Sequence, residues 1–267
     1  MLSPFLDSDI GHFLAAATSE GWICGKWEME FLLQTFPQGC LVKRADSELQ
    51  GYITSLRHDK SGWIGNLLVA PESRRGGIGT ELMQGALQAL LDAGVETVWL
   101  TASAKGVELY KKLGFIPVDS INRWVGEGGG GRSWSPAAPC DTEMIRHVDS
   151  AGWGDRRDAL LAVTGNRGHV ICGNHSFVCI QHWEQGTQLG PWGTLFEGHA
   201  AALLESALAA AGTNVFLDVP AGNLMAAALL TRKGFSIRGS NTLMYLGAKP
   251  KYSPHKVFAL ASMGSMG

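Results

Sequence analysis

Asn66-Leu-Leu-Val-Ala-Pro-Glu-Ser-Arg-Arg-Gly-Gly-Ile-Gly-Thr-Glu-Leu-Met83 passes from an apolar run through a glycine turn into a helix-period pattern. The run Trp63 to Val69, closed by Pro71, reads as a buried strand. Leu82, Ala86, Leu87, Leu90 and Leu91 then recur at helical spacing, which predicts a helix with one face on a sheet. Gly76, Gly77 and Gly79 allow the turn between them and leave amides uncovered at the helix N-terminus, an arrangement suited to an anion. A P-loop would end in Gly-Lys-Ser/Thr, but Gly79 is followed by Thr80 and Glu81. A dinucleotide fingerprint started at Gly77 would need its third glycine at Leu82. What remains is Arg-x-x-Gly-x-Gly, carried by Arg74, Gly77 and Gly79 after a strand ending Leu-x-Val-x-Pro.

Downstream, Gly94 offers a helix C-cap and Thr97 to Thr101 reads as the next buried strand, which the connecting helix makes parallel to the first. Glu108-Leu-Tyr-Lys-Lys-Leu-Gly-Phe115 follows as a helical turn that ends at Gly114 and restarts a strand at Phe115. In this order and spacing the two motifs resemble those of the GNAT N-acetyltransferases. The resemblance implies acetyl-CoA as donor, its pyrophosphate held by Arg74, Arg75, Gly76, Gly77, Ile78, Gly79 and Thr80. Its pantetheine arm would lie along Leu67, Leu68 and Val69, where two parallel strands splay apart and free backbone groups pair with ligand amides. An N–H near Leu68 or Val69 would polarise the thioester carbonyl. Tyr110 would protonate the departing thiolate, since a free phenol has a pKa of about 10 and a thiol about 8.5. The family's Asn-x-x-Ala before the Leu-Tyr pair is replaced by Ser103 and Gly106, and Ser103 is left as a pantetheine partner.

Upstream, Ile10, Phe13, Leu14 and Ala17 predict an amphipathic helix capped at Ser8 or Asp9, and a second short helix before Pro37. Trp22, Trp27 and Phe31, with Glu28 and Glu30, lie in the segment that walls the acceptor pocket in many GNAT enzymes; ordinary packing is the alternative for the aromatics. Cys40 to Arg44 and Gly51 to Arg57 read as strands leading in an antiparallel meander to Trp63 to Val69.

The chain has 267 residues, 45% of them hydrophobic, enough for one large or two ordinary domains. A formal net charge of −2 and the lack of a basic run argue against a nucleic-acid partner. The cysteines Cys24, Cys40, Cys140, Cys172 and Cys179 are scattered without Cys-x-x-Cys spacing and read as reduced thiols. With no leader-like start and no membrane-length apolar run, the expected compartment is the cytoplasm, with no membrane partner. No ligand spacing points to a metal.

Gly126 to Gly131, grading into Ser and Pro, has linker composition. The expected division is a catalytic domain over 1–126, a linker over 127–139 and a second domain over 140–267. The second half repeats the first. Gly198-His-Ala200 precedes a helical run as Gly77-Ile-Gly79 does, Val215-Phe-Leu-Asp218 echoes Val98-Trp-Leu-Thr101, and Leu229 to Phe235 echoes Leu109 to Phe115. Leu195 stands where the first half has Arg74, and Leu230 where it has Tyr110. The fold expected is thus mixed α/β (α+β): two tandem GNAT-like domains, each a twisted, mostly antiparallel sheet flanked by helices, the splayed pair in the first and the second degenerate.

Glu20-Gly-Trp22, Asp155-Arg156, Leu217-Asp-Val-Pro220 with Asn223, and Met244-Tyr-Leu-Gly247 extend the resemblance to bacterial two-domain acetyltransferases of the YitH-like group. It implies acetyl transfer to a primary amine of a small molecule, such as an amino sugar, amino acid or polyamine, by direct attack, and leaves room for a homodimer. Asp218, expected at a strand end facing a cleft, would bind the acceptor cation or relay its proton, with turn capping as the alternative; Asn223 would assist. A different class of reading is an acyl-CoA sensor without turnover, which gives Tyr110 nothing to do.

Overall fold

The computed structural model describes residues 1–45, 48–131 and 140–267. It divides into two compact units. The first comprises Met1–Leu100 with Leu246–Ala248 and Gly264–Met266, the second Thr101–Tyr245 with Lys249–Met263 and Gly267.

In the first unit β1 (Leu2–Pro4), α1 (Ile10–Ser19), α2 (Lys26–Thr35), β2 (Leu41–Ala45), β3 (Glu48–Arg57), β4 (Ser61–Val69), α3 (Ile78–Asp92) and β5 (Thr97–Ala102) follow in order, the last two residues of β5 falling in the second unit. Strands β1 to β4 pair antiparallel with their sequence neighbours, and β5 joins β4 in parallel. Successive strand residues point to opposite faces. On β3 the Gly51 side lies against Leu82 and Ile78 of α3, while the Tyr52 ring meets Phe5 and Phe13. Helices α3 and α1 therefore cover opposite faces, and the periodic Ile10, Phe13 and Ala17 supply the buried stripe of α1.

Strand β4 carries the irregularity that matters. Tyr52 pairs with Leu68 but Thr54 with Gly65, so β4 has one residue more than β3 in this interval, and Asn66 takes φ 54°. This is a β-bulge, which re-aims a strand locally. The Asn66 amide fixes it by donating to Thr54 Oγ1 at 3.0 Å. The β4–β5 register covers only Ser61 to Trp63 against Thr97 to Trp99. The expected splay of this parallel pair is present.

The second unit contains α4 (Val107–Lys112), β6 (Ile116–Glu127), α5 (Thr142–Trp153), α6 (Asp158–Arg167), β7 (Gly168–Gly173), β8 (Ser176–Trp183), β9 (Gly186–Thr194), α7 (Ala200–Ala210), β10 (Asn214–Pro220), α8 (Leu224–Arg232), β11 (Ser236–Gly247) and β12 (Val257–Ala259), with the last two residues of β11 falling in the first unit. Its strands run β11-β6-β10-β9-β8-β7, with β12 on β9. Strands β9 and β10 pair in parallel, over Thr187–Gln188 against Val215–Phe216. The core gathers Trp192, Leu204, Leu217, Leu230 and Phe258.

The glycine run expected to begin a linker is packed structure instead. Gly126 belongs to β6, with the Phe235 ring 2.5 Å from where a Cβ would stand. Gly128, Gly129 and Gly131 donate to the carbonyls of Thr213, Leu208 and Ala211 at 3.0, 2.7 and 2.9 Å. Glycine is used here for close backbone approach, which composition cannot distinguish from flexibility. Strand β6 pairs with β10 and β11, so the compact units divide near residue 100 rather than at the expected 126. The rest of the expected linker, 132–139, lies outside the described residues. Cys140 and Cys172, expected as free thiols, form a disulfide with Cα atoms 5.7 Å apart. Cysteine scatter thus no longer argues for a reducing compartment. Among the described residues no helix is long and apolar enough to cross a membrane.

Candidate active site

The glycine turn after β4 has the geometry of an anion seat. Gly77 is left-handed at φ 84° and forms the N-cap of α3, and Arg75 is left-handed at φ 68°. A run of turn amides with alternating handedness forms a concavity that suits anions. The helical ladder opens with Glu81 N to Gly77 O at 3.0 Å, so the amides of Ile78, Gly79 and Thr80 precede it. Glu81, one residue further on, would repel an anion at this end of the helix. Lys43 on β2 neutralises it with contacts of 2.8 and 2.7 Å, and this hydrogen bond is the main reason the Lys43 pKa is raised.

Arg74 buttresses the turn. Its Nε donates to Val69 O at 2.9 Å and its Nη2 pairs with Glu20, tying the loop to the end of β4 and to the end of α1. The groups expected along the pantetheine, Leu67 to Val69, lie between the bulge and this clamp. Leu68 turns inward, 4% exposed, while Leu67 and Val69 are half-buried.

Tyr110 stands on α4, half-buried, its ring edge-on to Phe115 at 6.0 Å and close against Gly106. Burial pushes its pKa up to about 12. The phenol therefore keeps its proton at neutral pH, as a general acid toward a thiolate must. Ser103 is exposed in the turn before α4, where its carbonyl accepts from Gly106 N at 2.8 Å.

Of the residues expected on the acceptor side, Trp22 is 37% exposed just after α1, and Trp27 is half-buried on α2. Glu28 is 1% exposed and accepts from the Ser265 hydroxyl, a partner 237 residues away in sequence. Glu30 is on the solvent side, paired with Lys26 at 3.0 Å. Cys24 is half-buried, and burial first, with the Glu28 charge second, pushes its thiol up to about 12. Burial holds Cys40 and Cys179 at about 12 as well, so none of the free cysteines is a thiolate nucleophile.

Asp218 is not at a strand end facing a cleft. It lies within β10, wholly buried, with both oxygens taken by Arg123 at 2.8 Å and a further contact from Gln188 at 3.4 Å. The Arg123 guanidinium also sits over the Phe216 ring at 5.1 Å. Nor does Asp218 cap the following turn; it is half of a core ion pair. Asn223 likewise has a structural post: it caps α8 by accepting from Ala226 N at 2.9 Å and donates to Val257 O at 3.0 Å. A sequence read by period places residues on strands but does not reveal which distant side chain will neutralise them.

A bulged strand splayed from its parallel neighbour and followed by a left-handed glycine turn at a helix N-terminus is the layout expected above for a GNAT fold. Family models agree. The acetyltransferase (GNAT) family matches residues 12–115, and an acetyltransferase (GNAT) domain matches residues 145–259. The chain belongs to the GNAT family, with two GNAT domains in tandem, and is an N-acetyltransferase. It is 28% identical, over 92% of its length and 88% of the other protein's, to a holothin acyltransferase of Pseudoalteromonas sp. (strain SANK 73390). Its fold is similar to that of a candidate acetyltransferase from Pyrococcus horikoshii, with TM-score 0.87, 22% identity, and 100% and 95% of the two chains covered. A GCN5-related N-acetyltransferase from Sphaerobacter thermophilus is similar at TM-score 0.67 and 17% identity, with 97% and 98% covered.

Proposed function

We propose that the chain transfers the acetyl group of acetyl-CoA to a primary amine of a small molecule by direct attack, with Tyr110 as the acid. The observation that carries this reading is the sequence of features along one strand: the bulge at Asn66, the splay beyond Trp63, the Arg74 clamp and the Gly77 turn. In this order they suit a thioester, an arm and a pyrophosphate. The amine's lone pair attacks the thioester carbon, and the developing oxyanion takes a hydrogen bond from a β4 amide near Leu68 or Val69. When the C–S bond breaks, the thiolate takes the Tyr110 proton and the amine gives its own to solvent or a carboxylate. The three free thiols stay protonated, which supports direct transfer over an acyl-cysteine intermediate.

The test is a screen of acetyl-CoA turnover over amino sugars, amino acids, polyamines and peptides, following both the free thiol and the new amide. At least one small amine is expected to raise thiol release well above the rate without acceptor. If peptides alone are acetylated, the small-molecule part of the proposal is overturned.

A further inference from the structure

Beyond Trp63 the flank of β4 that β5 leaves is met by a remote stretch of the same chain. Asn66 N, at the bulge, donates to Gly264 O at 3.4 Å. Gly65 has no room for a side chain, because a Cβ there would stand 2.3 Å from Gly264 O and 2.7 Å from Ser265 Cα. The Ser265 hydroxyl donates to Glu28, and Met266 is wholly buried. These residues all belong to the first unit. Three anchors thus hold Gly264–Met266: a backbone bond to the bulge, a side-chain hydrogen bond to the buried Glu28, and a buried side chain.

We propose that Gly264–Met266 closes the acyl end of the donor groove and so limits the length of acyl group that the enzyme accepts; this rests on the reading that β4 carries the pantetheine arm. The argument is one of direction. The pyrophosphate seat lies after the C-terminal end of β4, so an arm leaving it runs back along Val69 and Leu68 toward Asn66. With the carbonyl near Leu68, two strand residues, about 7 Å, separate it from the level of Asn66. There Gly264 already occupies the Asn66 amide, and its backbone is in contact with Gly65. A short acyl group ends before this stop, whereas a longer one meets main chain, which cannot swing aside as a side chain would. Moving it breaks the Ser265 bond to Glu28.

Isothermal titration of the full chain with coenzyme A, acetyl-CoA and hexanoyl-CoA tests this without an acceptor. Acetyl-CoA is expected to bind at least as tightly as coenzyme A, and hexanoyl-CoA weaker than acetyl-CoA by about tenfold or more, the scale on which methylenes that do not fit are rejected. Hexanoyl-CoA binding as tightly as acetyl-CoA overturns the proposal and leaves the donor reading intact. Failure of both coenzyme A and acetyl-CoA to bind overturns the donor reading, and this proposal with it. Ser265→Ala should narrow the hexanoyl-to-acetyl gap, and Ser265→Thr, which keeps the hydroxyl, should retain it. An unchanged gap in a folded Ser265→Ala protein removes the Ser265 anchor from the account.

Discussion

Burial pushes the Tyr110 pKa up to about 12, which keeps the phenol protonated at neutral pH, as the proposed acid role requires. Tyr110→Phe is expected to lower turnover by about 10²-fold while leaving acetyl-CoA affinity nearly unchanged, the usual cost of losing a general acid. The phenol is raised to about 12, so kcat should show no falling limb between pH 7 and 10. A falling limb in that range that vanishes in the Phe variant would contradict this. In linkage terms, the raised pKa contributes stability that is complete below about pH 10 and lost as the pH rises through about 12. Asp218 leads to the opposite kind of prediction. Asp218→Asn leaves the Arg123 guanidinium beside a neutral amide, so it should lower the melting temperature, at a cost on the order of 3 kcal/mol for breaking a buried pair. A thermal scan checks it, and a variant that melts like the parent would reopen a role outside the core. The helical turn that carries Tyr110 was legible because its motif is local and contiguous. The partners of Asp218 and Glu28 were not, since Arg123 and Ser265 lie 95 and 237 residues away.

At the level of elements, two glycine segments of similar appearance make different predictions. Nothing stands within 4 Å of a Cβ built at Gly77, so Gly77→Asp should fold, with only the strain of a left-handed φ. It sets a carboxylate at the mouth of the anion seat, and coenzyme A affinity should fall steeply while circular dichroism is unchanged. Undiminished affinity by calorimetry would remove the turn from the coenzyme site. At Gly128 the expectation reverses, because a Cβ would meet Gly212 O at 2.2 Å. Gly128→Ala should cost about 1–3 kcal/mol through overpacking. A flexible linker would tolerate the change, so an unaltered melting temperature would restore the linker reading. The strand, turn and helix around residues 61–92 were readable because period and turn chemistry act over a few residues. The packing of Gly126 on Phe235, and of Gly128 and Gly129 on the stretch 208–213, was not, because close approach and flexibility both select glycine.

At the scale of the whole molecule the question is whether two GNAT domains mean two coenzyme sites. The second unit repeats the short parallel pairing, β9 with β10, that leads to the splay in the first. Its gap is filled by its own chain. Strand β12 pairs with Trp192 and Gly193 of β9, and Leu260 N donates to Asp218 O of β10 at 2.8 Å. The fit is close enough that a Cβ at Gly190 would stand 2.0 Å from Leu260 O, and Gln181 donates to both Gly190 O and Ala261 O. The positions that correspond to Arg74 and Tyr110 are apolar as well. Leu195 packs in a small apolar cluster with Val148 and Phe177, and Leu230 is wholly buried in the main core. Among the described residues of the C-terminal repeat, an added strand and two leucines thus take the places that the splay, Arg74 and Tyr110 have in the N-terminal one. Isothermal titration of acetyl-CoA should therefore give one site per chain, and Gly77→Asp should abolish binding rather than halve the stoichiometry. A value near two, or one remaining site in the Gly77→Asp protein, would mean that β12 withdraws and that the second domain binds coenzyme after all.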